Sequence, residues 1–181
     1  MTLDTVAFVN DRLAEDLDRA FPDLVRDMQD GIYSGVRRLL PTPADAEDVT
    51  QETFIRVYRA LSEYPPDRIR QLNLPGWIWT IAVNLCRNAA RTRSRRPRTI
   101  ALDRDAFLRS PGPEAEVMIA EENLRWSELL GGLPIAQRTA VVLRHVVGLP
   151  YAEIAAATGR PEGTTKADVH RGIAKLQEAL S

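Results

Sequence analysis

Apolar residues recur at intervals of three and four along most of this 181-residue chain, and that spacing constrains the fold more than any other feature. It places apolar side chains on one face of a helix, whereas a half-buried strand needs alternation at every second residue. The clearest helical face comprises Phe21, Leu24, Val25, Met28, Ile32, Val36 and Leu39. No segment alternates convincingly as a strand. The sequence therefore predicts an all-α fold.

Prolines and glycines divide the helical pattern into two blocks. Pro41 and Pro43 end one helix and start the next. Residues 62–76 contain three prolines and are predicted to form a loop. We predict two small helical domains joined by a flexible linker, with the boundaries 1–96, 97–113 and 114–181.

Composition excludes several classes of protein. The hydrophobic content of 44% and charged content of 27% are typical of a soluble globular chain. The sequence contains no run of 18 apolar residues, which is the length needed to span a bilayer. The acidic N-terminus does not resemble a signal peptide. One cysteine, Cys86, excludes an intrachain disulfide, and with only two histidines the chain argues against a structural zinc site. We expect a cytoplasmic protein with no metal, no cofactor and no membrane partner.

The net charge of −1 conceals a segregated distribution. Residues 4–30 carry eight acids and three arginines. Residues 87–98 carry no acid and six arginines, which are Arg87, Arg91, Arg93, Arg95, Arg96 and Arg98. Such a basic run suits a polyanionic partner, although a solvated basic tail would have the same composition.

The strongest local pattern lies at 134–180 and predicts a helix-turn-helix. A short helix at 151–159 closes at Gly159, a residue type suited to a helix C-terminus. Thr164 is predicted to cap a final helix over about 165–180. A short helix, a tight turn and a second helix together favour DNA binding, although a helical pair in any all-helical protein would look similar.

The final helix has two different faces at 100° per residue. Its predicted core face comprises Val169, Ile173, Leu176 and Leu180. Ala167, His170 and Arg171 project from the opposite side, with Lys166 and Asp168 at its edges. Such a face could contact bases and phosphates in a major groove.

Two helices in the first block carry further candidate surfaces. In the helix at 45–58, an apolar arc of Ala46, Val49, Thr53, Phe54, Val57 and Leu61 opposes Asp45, Asp48, Gln51 and Glu52. The acidic side is either a solvated face or a docking surface for a basic partner. In the helix at 77–91, a buried stripe opposes Thr80, Asn84, Arg87, Asn88 and Arg91, whose amide and guanidinium groups can bind nucleic acid. Trp77 and Trp79 are predicted to be core anchors rather than base-stacking groups.

In this order the motifs resemble those of the extracytoplasmic-function (ECF) sigma factors of the sigma-70 family. The resemblance covers residues from about 20 to 180. DAEDVTQETF at 45–54 resembles the family's polymerase-docking helix, WIWTIAVNLCRNAAR at 77–91 its −10 helix, and the segment 133–176 its −35-reading region. The resemblance implies binding to core RNA polymerase, at the clamp helices and the flap, and to promoter DNA. It also implies an anti-sigma factor in many members, expected here by resemblance alone.

The resemblance supplies the polymerase-binding positions together with Asn84, Arg91, Lys166, His170 and Arg171, and the other site residues are neighbours on the same helices. Polymerase contacts are expected at Asp45, Glu47, Asp48, Gln51 and Glu52. Contacts with the −10 element are expected at Thr80, Asn84, Arg87, Asn88 and Arg91. Contacts with the −35 element are expected at Thr164, Lys166, Ala167, His170 and Arg171. Two positions depart from the family pattern: Asn88 stands where an acid is usual, and Ala167-Asp168 where Ser-Arg is usual, which places a carboxylate near phosphates.

The expected role is promoter-specific initiation of transcription without enzymatic activity, since no nucleophile–base pair, phosphate loop or metal cluster is apparent. An autonomous helix-turn-helix regulator would explain 134–180 but leaves the acidic helix without a role. A degenerate sigma-like interaction module would bind partners without supporting transcription. A nucleic-acid-processing enzyme would need an acidic metal cluster in a pocket.

Overall fold

The computed structural model describes residues 3–95, 126 and 128–180, and every element in these ranges is helical. The helices are α1 (Leu3–Glu15), α2 (Leu17–Leu39), α3 (Pro43–Glu63), α4 (Pro66–Arg70), α5 (Leu74–Arg95), α6 (Ile135–Val141), α7 (Tyr151–Thr158) and α8 (Glu162–Leu180). A π-helical turn, Val142–Val146, continues α6. The predicted all-α class is confirmed. The predicted linker at 97–113 lies outside the described residues.

Helices α1–α5 form an N-terminal block around one apolar core. The predicted face of α2 turns inward, with Leu24, Ile32, Val36 and Leu39 buried and the other three residues of that face packed against the core. The α2 N-terminus is capped by the Asp16 carboxylate, which accepts the Arg19 N–H.

Helix α3 begins where the sequence predicts a helix start. Thr42 is its N-cap and accepts the Asp45 N–H at 3.1 Å, and Pro43 occupies the first helical turn, where its missing N–H costs nothing. All six residues of the predicted apolar arc are buried. This burial fixes the rotation of α3 and directs its acidic side outward.

The segment 62–76 is more ordered than the sequence predicts. It contains α4, and its last residues already belong to α5. The buried Asn10 side chain of α1 donates to the carbonyls of Leu72 at 2.8 Å and Arg70 at 3.3 Å. Because α1 holds this connection directly, the start of α5 has a defined position.

Residues 128–180 form a C-terminal block with helix-turn-helix geometry. Gly159 closes α7 with a φ of +65°, in the left-handed region, as predicted from its sequence position. The prediction that Thr164 caps α8 is wrong, because α8 begins at Glu162 and the Pro161 carbonyl already accepts the Thr165 N–H at 2.9 Å. Leu180, predicted to be core, is 47% exposed in the last helical turn.

The two blocks contact each other. Helix α5 packs on α7, and α2 packs on the π-helical turn. A Cβ added at Gly35 of α2 would lie 2.4 Å from the Trp79 ring and 3.1 Å from Val147, so a glycine allows this approach. Beside the contact lies an open groove of about 750 Å³, whose lining includes Asp27, Arg70 and Pro150.

Candidate protein-docking and nucleic-acid interfaces

The acidic side of α3 faces away from the core. We call it the carboxylate face; it consists of Asp45, Glu47, Asp48, Gln51 and Glu52. Glu47, Asp48 and Gln51 are exposed, and Asp45 and Glu52 are half-buried. The surface is therefore open to a partner protein.

Local pairs already order the two half-buried acids. The Thr42 hydroxyl donates to the Asp45 carboxylate at 2.6 Å, so Asp45 is part of the cap of α3. Glu52 accepts from Arg56 at 2.7 Å, one helical turn away. The charge presented to a partner is thus concentrated on Glu47 and Asp48.

An apolar side chain lies among these polar groups and was not predicted from the sequence. Ile55 is 44% exposed and stands one turn after Gln51 and Glu52. A partly exposed apolar residue surrounded by polar groups is typical of a protein interface, which joins an apolar centre to a polar rim. The signal in the sequence is an isoleucine that falls outside the apolar arc of α3.

Helix α5 separates its predicted core stripe from its predicted DNA face. Ile78 and Ala82 are fully buried, whereas Asn84, Asn88 and Arg91 are exposed. Thr80 is half-buried and donates its hydroxyl to the Gly76 carbonyl at 2.9 Å. The structure thus places all five predicted residues on one side of α5, with the three exposed members accessible to nucleic acid.

Arg87 bridges the two blocks. Its Nη2 donates to the Thr158 carbonyl, in the last turn of α7, at 2.6 Å, and its Nη1 contacts Asn84 Oδ1 at 3.4 Å. The carbonyl end of a helix carries partial negative charge, which favours this cation. Burial lowers the pKa of Arg87, and the neighbouring cations Arg160 and Arg91 lower it further. In this arrangement Arg87 is engaged with the C-terminal block.

The two tryptophans are placed as core and near-core groups. Trp79 is 2% exposed and lies against α2 at Gly35. Trp77 is half-buried, with its ring 5.8 Å from that of Tyr64 at a tilted angle. The prediction that they anchor the core is confirmed for Trp79, and Trp77 packs at the edge of the same core.

Helix α8 displays its predicted DNA face to solvent. Lys166, His170 and Arg171 are exposed, and Thr164 and Ala167 are half-buried. Lys166 pairs with Glu162 at 2.7 Å, and its Nζ lies 5.6 Å from the centre of the Tyr151 ring. The amine is thereby held near the turn between α7 and α8.

The prediction that Asp168 lies at the edge of the exposed face of α8 is wrong. Its side chain is 5% exposed and lies between two guanidinium groups, 2.9 Å from Arg171 and 3.0 Å from Arg160. A buried carboxylate needs such cationic neighbours because removal from water disfavours its charge. Residue 168 is therefore turned inward, away from the surface where phosphates would lie.

Within the described residues, no helix combines the length and apolar character needed to cross a membrane. Over the same ranges, no three His, Cys, Asp or Glu side chains gather as a set that could hold a metal ion.

Comparison with known proteins agrees with this architecture. The sigma-70 region 2 model matches residues 24–96, and the sigma-70 region 4 model matches residues 124–176. The ECF RNA polymerase sigma factor SigE of Mycolicibacterium smegmatis is 35% identical over 164 residues, which are 90% of this chain and 62% of SigE. The RNA polymerase sigma-H factor of Pseudomonas aeruginosa is 32% identical, over 90% of this chain and 86% of its own.

A solved structure shows the same fold. The sigma factor RpoE of Bartonella quintana, in complex with the anti-sigma factor NepR, superposes with a TM-score of 0.65 at 23% identity. The match covers 88% of this chain and 96% of that one. Together with the two matched regions, these relatives define the class: the chain belongs to the ECF group of the sigma-70 family of sigma factors.

Proposed function

We propose that this protein binds core RNA polymerase through the carboxylate face and directs it to promoters that α5 and α8 recognise. The observation that carries the proposal is the separation of surfaces on one chain: an open acidic face on α3, and polar or cationic faces on α5 and α8. No covalent step is part of this role. Core polymerase and the chromosome would be met in the cytoplasm.

The docking step uses charge complementarity with an apolar centre. Glu47 and Asp48 supply exposed charge, and Ile55 supplies apolar area between them and the next turn of α3. Such charges steer association and fix orientation, while the apolar contact contributes affinity. The expected partner surface, at the clamp helices by family resemblance, would be basic with an apolar contact point; the flap would receive the C-terminal block.

Separate blocks recognise the −10 element and the −35 element. In the N-terminal block, the exposed residues Asn84, Asn88 and Arg91 are assigned to the −10 element, with Thr80 at their edge. In the C-terminal block, Lys166, His170 and Arg171 are available for the −35 element, beside Thr164 and Ala167. Arg87 can join the −10 contacts only after it leaves the Thr158 carbonyl. The proposal is that the two blocks move apart at the promoter and so release Arg87 from α7.

This separation of the blocks gives a protein inhibitor a simple means of control. A partner that bound across both blocks would hold Arg87 on α7 and keep the DNA faces apart from a promoter. An anti-sigma factor of that kind is part of the proposal, by resemblance to the family. The N-terminal and C-terminal blocks would then act as domains with the boundaries predicted from the sequence.

Reversal of charge on the carboxylate face tests docking. The double variant Asp48→Lys, Glu52→Lys should lose at least about thirtyfold in affinity for core polymerase, because like charges brought together across an interface cost several kcal/mol and about 2 kcal/mol is already a thirtyfold change. The measurement is co-purification with core enzyme, followed by titration. The matched control reverses two exposed acids of α2, Asp27→Lys and Asp30→Lys, and should bind normally. Unchanged co-purification of the α3 variant would refute the docking role.

A further inference from the structure

Asp168 occupies an unusual position for an acid in a DNA-reading helix. It lies on α8 three residues before Arg171, a predicted DNA contact, yet its own side chain is 5% exposed. The two arginines that flank it are far more open, with side chains 58% exposed for Arg171 and 40% for Arg160. The carboxylate is thus an inner group on which two outer cations converge.

The contacts on the two carboxylate oxygens differ. Oδ1 accepts a hydrogen bond from Arg171 Nη2 at 2.9 Å. Oδ2 lies 3.0 Å from Arg160 Nη2 as an ion pair without hydrogen-bond geometry. The tighter and better directed contact is therefore the one to Arg171.

This contact restricts a flexible side chain. An arginine has several rotatable bonds and five N–H donors in a planar fork. Anchoring one Nη to a buried carboxylate restricts the orientations that the fork can adopt, and it leaves the other N–H donors for a ligand. A donor group that is ordered before binding discriminates between bases better than one that is mobile.

We propose that Asp168 is a positioning residue, which holds the Arg171 guanidinium on the DNA side of α8 and so sets base preference within the −35 element. The inference rests on the proposed function, because it assumes that Arg171 contacts DNA. Asp168 itself contacts no base. Arg160 neutralises the second oxygen and ties the turn before α8 to the same carboxylate.

The test is run-off transcription by core polymerase plus the full chain, on templates whose −35 region is randomised around one active promoter. The readout is the relative transcript yield for each base at each position. Arg171→Ala should lose preference at one or two adjacent positions, by about fivefold or more at each, the discrimination expected of a good side-chain–base pair. Asp168→Asn should flatten the same positions, and Asp168→Glu should retain part of the preference.

Two controls separate positioning from stability. Asp168→Asn should change nothing further in an Arg171→Ala background, because the two residues act as one unit. Glu178→Gln removes the same charge from an exposed site on α8 and should leave the profile unchanged. A lower folded fraction cancels from the profile, because each preference is a ratio measured with one protein.

The outcomes separate the inference from the proposed function. If Arg171→Ala alters the profile and Asp168→Asn does not, or only lowers yield equally on all templates, the positioning role is overturned and the DNA role of Arg171 stands. If Arg171→Ala leaves the profile unchanged, the assignment of Arg171 to the −35 element fails and the inference fails with it.

Discussion

At the scale of single residues, the side chains that shape the candidate surfaces take partners far along the chain. Arg87 donates to a carbonyl 71 residues away, and Asn10 to one 62 residues away. Sequence periodicity indicates which face of a helix a residue occupies, but it carries no information on such partners. For this reason the exposed members of each face could be predicted, whereas the engagement of Arg87 could not. The burial of Asp168 between Arg160 and Arg171 was missed for a different reason: its partners are close in sequence, but an acid beside an exposed helical face is expected in solvent.

Cys86 provides a residue-scale prediction. Its burial in the α5 core raises the pKa of the thiol to about 12. The thiolate is the reactive form, so the folded protein at pH 8 should react with a maleimide at least about a hundredfold more slowly than the unfolded chain. Ser62→Cys, at an exposed position near the end of α3, serves as a fast-reacting control. Rapid native labelling of Cys86 would show that the core around it opens readily.

The raised pKa of Cys86 also sets the direction in which the stability of the protein changes with pH. The folded pKa lies above that of an unfolded thiol, about 8.5, so the native state binds the thiol proton more tightly. The contribution of this thiol to stability is therefore fully present below about pH 8.5 and is lost as the pH rises towards 12.

At the scale of elements, the apolar patterns were sufficient for the long helices. All six predicted core residues of α3 are buried, since a helix with one apolar face has only one favourable orientation on a core. The short α4 was missed because its five residues, which begin at Pro66, are too few to carry a periodic signal. The start of α8 was placed too late because Glu162 and Gly163 read as turn residues, although the Pro161 carbonyl begins the helical hydrogen bonding.

The packing of α6 on α8 depends on one glycine. A Cβ added at Gly172 would lie 2.6 Å from Val141 Cγ2, which a buried valine cannot easily vacate. Gly172→Ala should therefore destabilise the protein by about 1 kcal/mol, since overpacking of about 1–3 kcal/mol outweighs a helix-propensity gain of about 0.5–1 kcal/mol.

Denaturant unfolding measures this effect. Gly163→Ala on the same helix is the matched control, because nothing lies within 4 Å of its added Cβ, and it should unfold at the same or slightly higher denaturant concentration. A Gly172→Ala protein as stable as that control would contradict the close approach of α6 and α8.

At the scale of the whole molecule, the two blocks contact each other directly, and in the proposed function this contact opens when the promoter is bound. The sequence predicted two modules but gave no indication that α5 would pack on α7. The contact depends on close approaches at single residues, such as Gly76, whose added Cβ would lie 3.2 Å from Glu153 Cγ. Details of this kind have no periodic signature in a single sequence.

A reversible cross-link tests whether the blocks must separate. The double variant Gly76→Cys, Glu153→Cys should form a disulfide across the α5–α7 contact, while Cys86 is buried and can remain. The oxidised protein should lose at least about tenfold in run-off transcription, and a reductant should restore it; each single variant is the control. Equal transcription by the cross-linked and reduced forms would show that Arg87 is not needed away from α7.

Polymerase-dependent promoter recognition is tested most directly by run-off transcription from a genomic promoter library with purified core polymerase, with and without this protein. We predict discrete transcripts that appear only when the protein is added, and that disappear with Asp48→Lys, Glu52→Lys. The contradicting result is no new transcript from active core enzyme, together with tight, sequence-specific duplex binding by the protein alone, which is the behaviour of an autonomous helix-turn-helix regulator.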